Sequence, residues 1–572
     1  MNIRLFSTLS LFLLFMAGSV SAQNFYENAS VGGSMQFDGQ YYIADESLGI
    51  DTSTVKNKRY GINAFGDITY SVGNFTAGMR FEAFTPPLNG FDEKAKGYGI
   101  PYFFANYSNK YIDVTLGDFY EQFGSGLVFR SYQEWNLGYD NAVRGAKIVV
   151  KPYDGIKLTA LTGYQRWYWD QHVNWNNYDR GLVTGINGDF YLNDIFKFSG
   201  ETQITVGGSF VTKHETDLNK TTFINDTLYQ LNLPENVAAA SGRVSISRGG
   251  FGISGEYAYK INNPSAYNGY IYHPGKAMYL TTSYSTKGFG ITLAAKTVDN
   301  MSFKSKMTTT NNALDISFIP PLSKQHHYSL PSMYPYASQL NGETSFKANV
   351  IYSIPRNSAL GGKYGMSIEA DFVIVYDLKK TPVNDNTPIG AEGTLGYDSK
   401  LFSIGENNLY RDFNLTITKK FNKTWKSSFT YVNLLYDKDR VEGHVLGEYG
   451  KVNANIGIAD VTCKINSNNT IRLELQGLFV KKNQDKGNWA TTTIEYSFLH
   501  NWFVSVMDEW NYGNANKNER LHYYYASCGF VRNATRISLS YGRQREGLLC
   551  VGGVCRYVPA ATGLSLSFST AF

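Results

Sequence analysis

Ser367-Ile368-Glu369-Ala370-Asp371-Phe372-Val373-Ile374 puts Ile368, Ala370, Phe372 and Ile374 on one face of an extended chain and Glu369 and Asp371 on the other. Side chains alternate sides in a strand, so the stretch predicts a strand with one apolar and one charged face. The pattern recurs in Ile471-Arg472-Leu473-Glu474-Leu475-Gln476, where Arg472, Glu474 and Gln476 oppose the apolar set. It recurs again in Arg536-Ile537-Ser538-Leu539-Ser540-Tyr541. A strand with one apolar face borders either a soluble core or lipid. Charges repeated on the second face favour a wet lumen inside an apolar outer band.

Working outward, the same alternation predicts strands near 28–42, 58–71, 75–85, 99–108, 111–120, 142–152, 156–169, 182–192, 202–212, 237–248, 251–261 and 277–286. It continues near 289–299, 345–353, 364–377, 409–421, 425–437, 451–466, 470–481, 489–497, 502–512, 521–530, 534–544 and 563–572. That is about 24 strands, in a range of roughly 20–26 because boundaries slip. An even number suits a bacterial single-chain barrel. The predicted fold is all-β: a transmembrane antiparallel up-and-down β-barrel.

The connections keep a rhythm. Links such as Val72–Asn74, Asn109–Lys110, Gly249–Gly250, Lys287–Gly288 and Asn422–Thr424 are short, and those between them (121–141, 213–236, 262–276, 300–344 and 378–408) are long. Short periplasmic turns and long extracellular loops give that alternation. The link near 354–363 is longer than its side predicts. Gly563–Phe572 alternates Leu564, Leu566, Phe568 and Phe572 against small partners. It reads as a closing strand and as the motif that outer-membrane assembly machinery recognises.

At the other end, Arg4 precedes an apolar run from Leu9 to Val20, then Val20-Ser21-Ala22. The run is too short to span a bilayer as a helix. Residues 1–22 therefore read as a signal peptide cut between Ala22 and Gln23, with 23–572 a single barrel domain. No Cys follows the cut, which argues against a lipid anchor. Composition agrees with export to a membrane. Charged residues make up 18 %, below the ~25 % of soluble domains. A net charge of +5 over the chain is too dilute for nucleic acid.

Gly117-Asp118-Phe119-Tyr120-Glu121-Gln122-Phe123-Gly124-Ser125-Gly126-Leu127-Val128-Phe129-Arg130 and the stretch Arg543–Arg556 resemble an uncharacterised family of outer-membrane barrels from Bacteroidota. The resemblance covers most of the chain after the leader. It implies origin and location, and no activity.

Chemistry-bearing residues are few. Cys550 and Cys555 flank Val-Gly-Gly-Val, and two glycines let the chain reverse so that the thiols meet in an oxidising compartment. Cys463 and Cys528 read as isolated thiols in strands. His326-His327 reads as loop surface, and Gly124-Ser125-Gly126 as a flexible bend. No Gly-x-Ser-x-Gly elbow or phosphate-cradling loop occurs, so no enzyme, cofactor or metal site is expected. Trp425, Trp489, Trp502 and Trp510 read as an aromatic girdle. Trp167, Trp169 and Trp175 are dense enough to suggest stacking on a ligand such as a sugar. Glu369, Asp371, Arg472, Glu474 and Arg536 are the lumen-lining candidates; they either tune entry or pair across strands.

About 24 strands would enclose too wide a hole to leave open. The proline-bearing stretch 300–344 is the expected plug. Two functions remain: a channel for small polar or amphipathic solutes constricted by loops, or a non-conducting scaffold barrel in an envelope assembly. Receptor-like uptake is weaker, since no energy-coupling segment is visible. The expected partners are outer-membrane lipid, the assembly machinery and surface or periplasmic proteins.

Overall fold

The computed structural model describes residues 29–168, 180–198, 200–216, 218–224, 227–481, 484–551 and 554–572. The expected leader, its Ala22–Gln23 cleavage point, Trp169 and Trp175 lie outside the described residues.

Alternating sequence becomes one closed sheet of 24 strands. In chain order these are β1 (Ala29–Ile43), β2 (Tyr60–Val72), β3 (Phe75–Phe84), β4 (Gly97–Ser108), β5 (Ile112–Phe119), β6 (Val143–Val150), β7 (Ile156–Gln165) and β8 (Leu182–Tyr191). Next come β9 (Thr202–His214), β10 (Asn236–Arg248), β11 (Phe251–Lys260), β12 (Gly275–Thr286), β13 (Phe289–Asp299), β14 (Glu343–Ile354), β15 (Met366–Asp377) and β16 (Asn408–Lys420). The wall ends with β17 (Trp425–Asp437), β18 (Lys451–Lys464), β19 (Thr470–Val480), β20 (Trp489–Phe498), β21 (Trp502–Trp510), β22 (His522–Arg532), β23 (Thr535–Gln544) and β24 (Ala561–Ala571). Each strand pairs antiparallel with its neighbours in the chain. β24 then pairs with β1 in register Phe568↔Phe37, which leaves no edge. The strand expected over 156–169 stops at Gln165, because the chain turns away there into a long connection.

The turn end of this seam needs one bare backbone. Gly33 and Phe572 exchange two backbone hydrogen bonds of 2.9 Å. A Cβ on Gly33 would sit 2.6 Å from the Phe572 ring and 2.8 Å from the Asp67 carbonyl oxygen, so only glycine fits. Leu564 and Leu566 of β24 point outward and are exposed. Phe568 is flanked by Phe37 of β1 and Ile537 of β23.

The connections alternate between two ends of the barrel. At one, the turn end, links are as short as 73–74, 249–250 and 287–288. Asn side chains shape several of them. Asn109 Oδ1 accepts from the Tyr111 and Ile112 amides at 2.8 and 2.9 Å, and Asn422 Oδ1 from the Thr424 and Trp425 amides at 2.8 Å each. Longer turn-end links carry local structure: a short helix (Leu192–Phe196) and a Ser358↔Gly362 bridge within 355–365. At the other, the loop end, lie 120–142, 300–342 and 378–407. The outer face is greasy, with Phe372, Leu475, Phe479, Ile494, Val506 and Leu539 exposed. No helix among the described residues is long and apolar enough to cross a membrane.

The inner face changes character along each strand. On β17, Lys426 at the turn end is exposed, Ser428 is half-buried, and Thr430, Val432, Leu434 and Tyr436 are buried. On β18, Val452, Ala454, Ile456 and Ile458 are buried at the loop end, Asp460 and Thr462 are half-buried, and Lys464 is exposed. The lumen is therefore filled at the loop end and wet at the turn end.

Candidate functional site: the filled loop end

Two loop-end segments fold back onto the inner wall. The first carries the Gly117–Arg130 stretch. Its Phe123, Leu127, Val128 and Phe129 are fully buried against Val143, Leu161, Val183, Val211 and Val237 from successive strands. Gly124-Ser125-Gly126 is not a flexible bend, as its composition suggested. Ser125 donates to Glu256 Oε2 on β11 from its amide (2.8 Å) and its hydroxyl (2.7 Å), and Glu256 Oε1 accepts from Ser241 at 2.9 Å. Gly124 has φ +54°, and a Cβ there would strike the Glu256 carboxylate. A distant buried acid thus fixes a segment whose local sequence reads as loose.

The second segment, 300–342, is the expected 300–344 stretch, trimmed by the earlier start of β14. It packs on the first segment: Arg130 N donates to Ile316 O and Phe318 N to Gly126 O, both at 2.9 Å. Its Met301, Phe303, Ile316 and Ile319 complete the apolar cluster that runs along β5–β13. Its Leu322, Leu330, Tyr334 and Tyr336 seat in a second cluster against Val373, Val375, Tyr410, Leu434, Tyr436, Ile456 and Leu478. Trp489 belongs to this second cluster and is 1 % exposed. Its assignment to an outer girdle fails because it opens β20 facing inward. Trp425, Trp502 and Trp510 do face outward.

Polar pins accompany the apolar seats. Lys324 Nζ lies 3.0 Å from Glu369 and 3.1 Å from Asn414 Oδ1. His326 Nε2 lies 2.8 Å from Asp412 Oδ2, with both side chains nearly enclosed. His326 is therefore not loop surface; its exposed neighbour His327 is. Inward folding of the loop, invisible in the dipeptide, separates the two. Leu330 N donates to Gln476 Oε1 at 3.1 Å, and Arg545 Nη2 to Ser329 O at 3.3 Å.

Four of the five charged inner-face candidates fall into such networks. Glu369 meets Lys324. Asp371 lies 3.4 Å from Lys347 and accepts from Asn349 at 3.1 Å. Arg472 pairs with Asp460 at 2.8 Å and with Glu474, which also accepts from Gln476 at 2.7 Å. Arg536 lies 4.9 Å over the Phe503 ring, near the turn end. The five are spread over β15, β19 and β23 and form no single cluster.

Cys550 and Cys555 are joined by a disulfide across a short hairpin, Gly547–Val551 with Val554–Val558. The hairpin lies over the plug: Asn312 Nδ2 donates to Cys555 O at 2.8 Å, and Val554 packs on Leu137 and Tyr139. Cys463 is half-buried and Cys528 exposed, both as free thiols. Among the described residues, no group of three or more His, Cys, Asp or Glu is placed to hold a metal ion.

Seating is uneven around the wall. Apolar contact runs from β5 to β20, but beside β21–β23 a cavity of about 760 Å³ separates plug from wall. It is lined on the plug side by Pro320, Pro331, Tyr334 and Tyr336 and on the wall side by Glu509, Tyr523, Tyr525 and Arg545. Arg545 Nε is 2.5 Å from Glu509 Oε1 there. A second cavity of about 360 Å³ lies above β2 and β3, lined by Phe65, Glu82, Phe84, Trp135, Arg166 and Trp167 among others. The sequence singles out Trp167 but not this cavity, whose walls come from β2, β3 and five separate connections.

A sheet closed on itself, greasy outside and entered by its own loops, defines a transmembrane β-barrel of the outer-membrane class. The chain belongs to the Family of unknown function (DUF6029), whose model matches residues 4–572. No curated protein matches it in sequence. Among solved structures it is similar to the siderophore receptor PirA from Pseudomonas aeruginosa (8 % identity, 95 % of this chain and 80 % of that one, TM-score 0.40). It is similar to a mutant of the ferric enterobactin receptor PfeA from Pseudomonas aeruginosa (9 % identity, 95 % and 81 % covered, TM-score 0.42). It is similar as well to the P pilus usher PapC translocation pore (9 % identity, 95 % and 99 % covered, TM-score 0.40).

Proposed function

We propose that the protein is an integral outer-membrane barrel of a Gram-negative bacterium that acts as a gated passage for small polar or amphipathic solutes. The 300–342 segment is the gate. The observation that supports this most is the uneven seating: a plug sealed on one side and separated from β21–β23 by a cavity with tyrosine, proline and paired charges on its walls. Such walls suit solutes with an apolar body and a few polar groups. The turn-end lumen, wet and charged, would serve as the vestibule on the periplasmic side.

The test is conductance in planar bilayers. The intact protein should pass little current, and a variant with residues 301–341 replaced by a short Gly-Ser linker should conduct at least tenfold more. Absence of current in both would overturn the passage. It would favour a second reading, a non-conducting scaffold barrel, which the full burial of Leu330 and Tyr436 at the plug seat supports.

A further inference from the structure

The cavity above β2 and β3 plays no part in the passage. Its floor holds a balanced set of charges. Arg166 donates to both Glu82 oxygens (2.8 and 2.6 Å) and to Asp140 (2.7 Å). Arg80 lies 3.8 Å from Glu82 and 3.6 Å from Asp140. Glu82 and Asp140 are thus answered within the protein. On another wall, Asp92 accepts from the Tyr168 hydroxyl at 2.8 Å.

Arg556 differs. It is half-buried over the Phe91 ring at 4.0 Å, and Nη1 donates to Asn89 O at 3.0 Å. No carboxylate lies within ion-pair distance of it among the described residues, and its buried Nε has no hydrogen-bond partner. Burial pulls its pKa down to about 10, which leaves it charged at neutral pH. A half-buried guanidinium without a counterion is costly, and an incoming anion would offset that cost.

Apart from Glu134, whose Oε1 accepts from Asn136 N and Nδ2 at 3.4 and 3.3 Å, the rest of the cavity is mainly aromatic, aliphatic and amide. Phe84, Phe91, Trp135, Trp167 and Tyr168 give ring surfaces, and Asn311 and Asn312 give amides. Among the described residues the buried Trp167 indole N–H has no hydrogen-bond partner. Lys94 stands 5.4 Å from the Trp167 ring, on the side where Asp92 also lines the cavity. A volume of about 360 Å³ falls at the small end of ligand pockets, ~300–1,000 Å³.

We infer that this cavity binds a carboxylate-bearing ring, with the carboxylate on Arg556 and the ring body among Phe91, Trp135 and Trp167. An acidic sugar unit and a small aromatic acid share that chemistry. Titration of the full chain in detergent, followed by tryptophan fluorescence, tests the inference with glucuronate, benzoate and glucose as probes. At least one of the two acids should bind at least tenfold more tightly than glucose. Whichever binds better identifies the source as acidic glycan or aromatic acid. Arg556→Gln should abolish that preference, and Trp167→Phe should weaken the acid at least threefold. Folding of each variant is checked by its heat-dependent gel shift. If Arg556→Gln fails to fold, the salt dependence of the intact chain decides: acid binding should weaken at least threefold between 50 and about 300 mM salt through screening. Equal affinity for acids and glucose, no binding of any probe, or acid binding indifferent to both Arg556→Gln and salt would overturn the inference.

Discussion

Tyr436 and Lys426 stand on the same inner face of β17, one at each end, and their surroundings are opposite. Tyr436 is fully buried under the plug; Lys426 is exposed. The strand backbone is the same throughout, so the difference comes from what the connections do. At the loop end they return into the lumen with Phe, Leu, Ile and Tyr. At the turn end they reverse within a few residues and leave the wall to water. Order at the loop end therefore depends on long-range packing, and order at the turn end on local hydrogen bonds.

Tryptophans at the two ends give the largest expected contrast. Trp489→Ala empties a packed inward site and should lower stability by ~3–5 kcal/mol. Trp425→Ala at the outward turn end should cost less than a third of that, read from urea unfolding in detergent. Similar losses for the two would break the contrast.

Next is the pin under the first segment. Glu256→Gln weakens acceptors for Ser125 and Ser241, at a cost of about 1–3 kcal/mol. Amide exchange should quicken in 120–142 and stay unchanged in turns such as 287–288. Faster exchange at both ends would mean that the filled half and the wet half are not separable.

Acid should act first at the loop end. Asp45 is partly buried, yet hydrogen bonds from Ser47 and Thr562 and the Arg543 guanidinium hold its carboxyl below the ordinary range. Arg543 grips it with contacts of 2.8 and 2.9 Å across the β23–β24–β1 seam. A depressed folded value means that this stabilisation is complete above the unfolded carboxyl value, ~3.9, and lost as pH falls through the lower folded value. Asp315 runs the other way. Burial raises its pKa against the pull of Lys304 2.5 Å away, so its contribution is greatest in acid and declines as pH rises through the raised value. Asp45→Asn should remove acid loosening of the seam below about pH 4, followed by protease cleavage in 44–59. Unchanged acid cleavage in that variant would place the sensitivity elsewhere.

The smallest effect belongs to the turns. Asn109→Ala removes one oxygen that accepts two local hydrogen bonds and should cost about 1 kcal/mol, with no change in protection of the plug.

The wall was legible because period two survives any tertiary detail. Each predicted strand corresponds to one observed, with ends shifted by a few residues. What escaped was inward packing. Val373 and Val375 continue the face of Glu369 and Asp371, so one strand is charged at mid-barrel and apolar under the plug. Nothing within eight residues of sequence shows which part a loop will cover. Trp489, His326 and Gly124–Gly126 were misread for the same cause: their partners lie tens to hundreds of residues away. The Trp167 cavity shares it, since its walls come from across the chain.

The 300–342 segment leaves the wall at β13 and rejoins it at β14, and Val298 pairs directly with Glu343. Both its ends are stitched to adjacent rungs, so in the proposed gate it would act as a hinged leaf. Such a leaf would swing aside without being lost, and its return would be a first-order event independent of how many barrels share the membrane. Shutting would be fast and self-contained, and a solute would have only to hold the leaf open.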